Sequence, residues 1–145
     1  MRRFSTASVF GAALLAAVPA LAQDEWEQQV QKLIERAGES YSENGYHYGG
    51  FTRTGSLRDG ATERVTVRLG SNVDNQLVGV CDTDCSDLDL ILLDSDGDQV
   101  DSDVADDDVP IVSLRPSRDG VYTIEVRMID CDENPCRYGI QQFIK

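Results

Sequence analysis

Carboxylates are concentrated in residues 87–108, where acidic and apolar residues alternate along the chain. Leu88, Leu90 and Leu92 occupy every second position, which is typical of a strand with one buried face. Asp96-Gly97 then predicts a hairpin turn, because glycine adopts a positive φ without steric cost. Clustered carboxylates repel one another unless solvent or a hard cation relieves them, and oxygen ligands at flexible geometry suit Ca²⁺. The segment therefore predicts a calcium site.

Two sets of carboxylates compete for this cation. The first set lies on the strand face opposite the leucines and in the return loop, which is expected to fold back near the start of that strand. Its members are Asp87, Asp89, Asp106, Asp107 and Asp108. The second set lies in the turn and departs from an EF-hand loop, because the glycine falls between its last two acids and no glutamate follows at the twelfth position. Its members are Asp94, Asp96 and Asp98. The alternative is that all these acids form a solvated face without a ligand.

Catalytic motifs do not accompany these acids. The sequence has neither a G-x-S-x-G elbow nor an H-E-x-x-H pair, and its single histidine, His47, lies in a connector rich in glycine and tyrosine. Paired carboxylates can hydrolyse a glycoside, but no aromatic side chains that would stack on a sugar lie near the acids. We expect a non-catalytic binding or accessory module, with a carboxylate-dependent hydrolase subunit as the less favoured alternative.

Residues 1–22 have the three parts of a secretory signal peptide. Arg2-Arg3 precede the apolar run 9–18, and Ala20-Leu21-Ala22 predicts cleavage after Ala22. The apolar run is too short, and the next residues are too acidic, for a membrane-spanning helix, so no membrane insertion is expected after cleavage. The predicted location is therefore periplasmic or secreted, in a bacterium.

Net charge limits the partners of the mature chain. Cleavage removes two arginines and no acids, so the formal charge moves from −13 to −15 on the remaining 123 residues. Nucleic acids and anionic membrane surfaces are disfavoured, because their phosphates would be repelled. The expected partner is another exported protein or an extracellular polymer.

The four cysteines are an even count in a chain predicted to be exported, where disulfides persist. Of the three connectivities, we favour the local pairs Cys81–Cys85 and Cys131–Cys136, because each pair spans a polar turn. A four-cysteine zinc site is the alternative, but three and four residues separate the cysteines, instead of the usual two.

Residues 23–45 are expected to form an amphipathic helix and a connector. Apolar side chains recur at helical spacing over residues 24–41, which predicts one apolar face. They are Trp26, Val30, Leu33, Ile34, Ala37 and Tyr41. This face is expected to pack on the body of the domain. The alternative is that it docks on another exported protein, which would make the chain an inhibitor or assembly factor.

Residues 46–145 are expected to form one mainly β domain. From residue 51 onwards the apolar period changes to two, and turn signals recur about every ten residues, which predicts about eight strands in an antiparallel, jelly-roll-like β-sandwich. The predicted strands cover residues 51–57, 63–69, 76–81, 87–93, 99–104, 109–114, 121–129 and 137–144.

Three short motifs of this domain resemble the bacterial pre-peptidase C-terminal (PPC) domain. They are Asp87-Leu88-Asp89-Leu90, Leu93-Asp94-x-Asp96-Gly97, and Asp119-Gly120-Val121-Tyr122-Thr123-Ile124-Glu125-Val126. The resemblance implies a jelly-roll-like sandwich, usually appended to secreted hydrolases, that sometimes binds calcium or matrix polymers. It also implies that Asp87 and Asp89, with acids of the 106–108 loop, are the calcium ligands. This chain departs from the usual setting because a short helix precedes the domain and four cysteines are added.

Overall fold

The computed structural model describes the backbone of residues 20–145 and side chains from Glu25 onwards. The predicted signal peptide therefore lies almost entirely outside the described residues. One helix and eight strands follow one another in this part of the chain. They are α1 (Ala20–Glu43), β1 (His47–Leu57), β2 (Thr62–Leu69), β3 (Asn75–Cys81), β4 (Cys85–Leu93), β5 (Gln99–Asp103), β6 (Ile111–Leu114), β7 (Gly120–Cys131) and β8 (Cys136–Ile144). In this region no helix has the length and apolar character needed to cross a membrane.

The strands form two antiparallel sheets of four strands each. The first sheet has the order β1-β8-β3-β6, and the second has the order β2-β7-β4-β5. One apolar core joins residues of both sheets, which gives a sandwich-like arrangement. Side chains from alternate positions fill this core, as the period of two predicts. They include Leu77, Leu88, Leu90, Leu92, Ile124, Val126, Met128, Tyr138 and Ile140.

Each predicted strand is present, and β1 differs most from its prediction. It begins at His47, because its first residues pair with the end of β8, His47 with Ile144 and Tyr48 with Phe143. The register shifts between Tyr48 and Thr52, and Gly50 has a φ of 95° there. The Gly- and Tyr-rich start of β1 is expected to be a loop, because glycine is depleted in strands. Its pairing with β8, 97 residues later in the chain, overrides that local preference.

Helix α1 packs on the outer face of the first sheet. Val30 and Ile34 are buried against Val80, on the face opposite the sandwich core. The absence of a side chain at Gly139 makes room for them, since a Cβ there would lie 2.6 Å from Ile34 Cδ1 and 2.8 Å from Val30 Cγ1. Farther along the helix, the Tyr41 ring stacks on Phe143 with 4.4 Å between centroids. The apolar stripe thus forms a third layer of the domain.

Two disulfides hold one end of the sandwich. Cys81–Cys85 and Cys131–Cys136 are bonded as predicted, each with a Cα–Cα distance of 5.9 Å. Cys85 and Cys131 are partners in the β4–β7 register, so the two bridges lie at the same end, which we call the disulfide end. Because the four cysteines form two disulfides, no free thiolate is available to bind zinc.

The contact of α1 with Gly139 predicts that substitutions of Ile34 and Gly139 have non-additive effects on stability. Gly139→Ala should lower the free energy of unfolding by about 1–3 kcal/mol, because the new methyl group overpacks this contact. Ile34→Ala alone should cost about 2–5 kcal/mol. In the Ile34→Ala background, Gly139→Ala should lower the free energy of unfolding by less, because the side chain that it meets is shorter. Urea unfolding of the wild type, the two single variants and the double variant measures this difference.

A matched control uses a residue far from the helix. Ile129 is 45% exposed on β7, in the other sheet, so Ile129→Ala and Ile34→Ala should have additive effects. If Gly139→Ala and Ile34→Ala were equally additive, the helix would not be seated on Gly139.

Candidate functional site

The start of β4 and the return loop meet at the disulfide end. The backbone N–H of Leu88 donates a hydrogen bond to the carbonyl oxygen of Asp107, with an N···O distance of 3.0 Å. The loop after β5 therefore folds back onto the first residues of β4, as the sequence predicted. Within that loop, the Asp107 carboxylate accepts a hydrogen bond from the Val109 N–H, which fixes the local turn.

Asp87 lies at the centre of this acidic cluster. Its Oδ1 is buried and has no hydrogen-bond partner among the described residues. Burial raises the pKa of Asp87, and the charges of Asp106, Asp107 and Asp130 raise it further. A buried carboxylate oxygen without a donor is costly, and nearby like charges add to the cost. The charge of Asp87 is therefore poorly compensated by the residues around it.

Asp89 is on the same strand face but in different surroundings. It is 7% exposed, so its side chain does not project freely into solvent. Burial raises its pKa first and the charge of Asp87 raises it next, while Arg127 lowers it. Arg127 is a register partner of Asp89, but its guanidinium forms its ion pair with Glu125. The negative charge of Asp89 is thus only partly compensated.

The members of the first predicted ligand set lie in different surroundings. The charges of Asp106, Asp107 and Asp130 act on Asp87, and Asp130 is its register partner on β7. Asp108 instead lines a cleft beside α1, with Cys81 and Asp82. Sequence reasoning missed Asp130 because only the pairing of β4 with β7 reveals its position. Within the described region, no group of three or more His, Cys, Asp or Glu side chains is placed so that it could hold a metal ion.

The second predicted set lies at the other end of β4. Asp94 Oδ1 accepts hydrogen bonds from the backbone N–H groups of Asp96 and Asp98, at 2.9 Å and 3.0 Å. Its carboxylate is therefore occupied in holding the hairpin turn, while Asp96 and Asp98 are exposed. Asp87 and Asp94 are separated by about 23 Å along the strand at 3.3 Å per residue. The two sets cannot form one site.

Two further acids of the segment close a sheet edge. Asp103 Oδ2 accepts a hydrogen bond from the Ile111 N–H at 2.9 Å, and Asp101 Oδ2 accepts one from the Ser113 N–H at 2.6 Å. Both donors belong to β6, the edge strand of the first sheet, and both acceptors belong to β5, the edge strand of the second. These carboxylates satisfy backbone donors that would otherwise remain free at the edge. Asp101 and Asp103 thus have a structural role.

A search of protein-family models finds no match for this chain, and a search of curated proteins finds no match either.

The edge bonds predict a difference between two substitutions of Asp101. Asp101→Ala should lower the free energy of unfolding by about 1–2 kcal/mol, because the Ser113 N–H loses its acceptor. Asp101→Asn should cost less, since the amide oxygen still accepts that bond. Urea unfolding of both variants measures the difference. Equal losses would show that the hydrogen bond to Ser113 does not stabilise the edge.

Asp87→Asn should stabilise the protein in chelator at pH 7, because it removes a partly buried charge among like charges. The pKa of Asp87 is higher in the folded state than its ordinary value of 3.8. The ionised Asp87 side chain therefore destabilises the folded state fully at pH values above its folded pKa. This destabilisation disappears as pH falls through that pKa towards 3.8. The advantage of the variant over wild type should shrink along the same pH range.

Thermal melts of both proteins between pH 7 and pH 4 check this prediction. Asp96→Asn is the matched control, since Asp96 is exposed in the turn at the other end of β4 and its melting temperature should follow that of wild type. An Asp87→Asn variant less stable than wild type in chelator at pH 7 would show that Asp87 is not under electrostatic strain.

Proposed function

We propose that this chain is a small exported, non-catalytic binding or accessory module that Ca²⁺ stabilises at the disulfide end. The observation that carries the proposal is Asp87, whose buried Oδ1 has no hydrogen-bond partner among the described residues and whose neighbours are three further carboxylates. A divalent cation would supply the charge that this cluster lacks.

The proposed ligands come from three segments of the chain. Asp87 lies on β4, Asp106 and Asp107 lie in the return loop, and Asp130 lies on β7. Aspartate oxygens are the ligands that Ca²⁺ takes, and its flexible coordination suits carboxylates from separate loops. Among the described residues no group of three or more acids could hold a metal ion as placed, so the proposed binding requires the return loop to move towards β4 and β7.

The strand orders support a jelly roll as the finer description of the fold. In a jelly roll, eight strands form two sheets of four through nested Greek-key connections. The orders β1-β8-β3-β6 and β2-β7-β4-β5 place sequence neighbours such as β1 and β2 in opposite sheets, as that connectivity requires. We propose that residues 46–145 have this topology.

The proposed location is the periplasm or the extracellular space. Two disulfides in a small domain are typical of an oxidising compartment, and residues 1–22 have the composition of a secretory signal peptide. The formal charge of −13 supports a protein or polymer partner over nucleic acid. The resemblance to the PPC domain is consistent with such a role, and we propose it as the family of residues 46–144.

The packing of α1 favours a structural role for the helix over the alternative of a docking segment. Its apolar residues Val30 and Ile34 are buried on the first sheet, so they are occupied within the same chain. A carboxylate-dependent hydrolase is the less favoured alternative, because it needs a cleft flanked by two acids of differing pKa.

A calcium-specific rise in melting temperature would test the proposed site. At ~0.1 mM affinity, ~1 mM free Ca²⁺ adds about 1.4 kcal/mol to the free energy of unfolding. This corresponds to a rise of about 3–8 °C for a domain of this size. Thermal melts in Ca²⁺, in Mg²⁺ and in chelator, at matched ionic strength, measure it.

Two variants locate the effect. Asp87→Asn should lose the calcium-dependent rise, whereas Asp96→Asn should keep it, because Asp96 lies in the turn at the other end of β4. Equal rises in Ca²⁺ and Mg²⁺ would indicate ordinary screening of the acidic surface. A calcium-specific rise that persisted in Asp87→Asn would place the cation elsewhere.

A further inference from the structure

The two sheets end in four edge strands, β1, β2, β5 and β6. β1 is interrupted, because its register shifts between Tyr48 and Thr52. β5 and β6 are short, and the carboxylates of Asp101 and Asp103 bind the β6 backbone. Bulges, short strands and such side-chain bonds hinder the addition of another strand. Among these four described edges, only β2 is both long and regular, with eight residues in one uninterrupted register with β7.

The ladder determines which backbone groups of β2 face away from β7. The Met128 N–H donates a 2.9 Å hydrogen bond to the carbonyl oxygen of Ala61, just before β2. In an antiparallel ladder, hydrogen-bonded pairs alternate with pairs whose N–H and C=O groups point outward. The outward groups of β2 therefore belong to its exposed residues, which are Thr62, Arg64, Thr66 and Arg68. In the described part of the chain, no turn or loop backbone group bonds to them.

β2 also borders an open cleft of about 440 Å³. Phe51 of β1 and Val67 of β2 both line this cleft. One acid, Asp119, lines it as well, and its carboxylate accepts a 2.7 Å hydrogen bond from the Ser71 N–H. Because side chains alternate along a strand, a strand added to β2 would direct every second side chain towards this cleft, beside Val67.

This side of the molecule is basic although the chain is acidic. Residues 47–69 contain four arginines and two acids, a net charge of +2, whereas the whole chain has −13. Arg64 shares Glu125 with Arg127, and Arg68 forms no ion pair within the described residues. Pairing of β2 with β2 of a second copy is disfavoured, because a two-fold axis at Thr66 would place Arg64 opposite Arg68. Carboxylates opposite the two arginines are favoured instead.

We propose that β2 binds an extended acidic segment of another exported protein, which adds as a fifth strand to the second sheet. The segment runs antiparallel to β2, with carboxylates four residues apart opposite Arg64 and Arg68. Apolar residues between them lie beside Val65 and Val67. The backbone edge then supplies affinity, and the alternating side chains supply specificity. This inference rests on the proposed binding role of the chain and not on Ca²⁺, because the acidic cluster lies two strands away, on β4.

Amide NMR spectra of the purified oxidised protein, titrated with a synthetic peptide in chelator, test this edge. The peptide is acetyl-Thr-Glu-Val-Thr-Val-Glu-Thr-amide, and physiological ionic strength screens the net charge of the protein beyond about 8 Å. Binding should saturate with a dissociation constant below about 1 mM. At saturation, hydrogen exchange at the outward amides of Arg64, Thr66 and Arg68 should slow by at least about tenfold. Exchange at Val65 and Val67 should hardly change, because their N–H groups already bond to β7.

Three modified peptides separate backbone pairing from charge. N-methylation of the central threonine removes the N–H that would bond to the Thr66 carbonyl, so binding should weaken at least about tenfold. N-methylation of either valine removes an N–H that points away from β2, and it should weaken binding less than about threefold. Replacement of both glutamates by lysines should weaken binding at least about tenfold, because both cross-strand pairs become repulsive.

Two variants of the protein assign the charge contact. Arg68→Glu should weaken binding of the glutamate peptide about five- to tenfold and strengthen binding of the lysine peptide. Arg36→Glu is the matched control, since it makes the same change in net charge at an exposed residue of α1, which packs on the other sheet. It should change the affinity for either peptide less than about twofold.

Three outcomes would overturn the proposal. They are no shift of any β2 amide up to about 5 mM peptide, binding without slower exchange at the outward amides, and equal effects of Arg68→Glu and Arg36→Glu. The calcium-dependent rise in melting temperature is measured without peptide, so failure of the calcium site and failure of this edge are distinguishable.

Discussion

The antiparallel pairing of β4 with β7 is the interaction on which the other features depend. It places Leu88, Leu90 and Leu92 beside Met128, Val126 and Ile124, and these buried side chains form the centre of the core. Along the same ladder, Cys85 faces Cys131 and Asp87 faces Asp130. The register shifts twice between Cys85 and Leu88, so the disulfide end and the acidic cluster lie beyond the regular part of the ladder that positions the leucines. A shift by one residue would move the leucines out of the core and the aspartates into it.

The acids of this chain have three different physical roles. Asp94, Asp101 and Asp103 accept backbone hydrogen bonds, so their charge holds a turn and closes the edges of the two sheets. Asp96 and Asp98 are exposed in the hairpin turn, where they contribute charge to the surface. Asp87 and Asp82 each keep a buried oxygen without a donor among the described residues. Burial raises the pKa of both Asp87 and Asp82, so their charged forms are costly in the folded chain.

Helix α1 both packs on the first sheet and lines a cleft beside the Cys81–Cys85 loop. Its buried side stays on the first sheet because Gly139 leaves room for Val30 and Ile34. Its neighbouring side, with Lys32 and Arg36, then faces the loop that contains Asp82. The cleft exists because a disulfide and a hydrogen bond to Gln29 hold that loop beside the helix. The same helix therefore completes the packing of the domain and forms one wall of the cleft.

The helix and the eight strands followed from the sequence, because they depend on local periodicity. The cysteine connectivity did not: the sequence allowed three pairings and favoured the local one, which the structure contains. The sequence also predicted that the return loop approaches the start of β4. The tertiary structure decided which acids meet: Asp130 joins Asp87, whereas Asp108 lies beside Asp82. It also decided that β1 begins at His47, through pairing with Ile144. The physical reason is that register and loop placement depend on contacts between residues far apart in the chain, which local patterns do not specify.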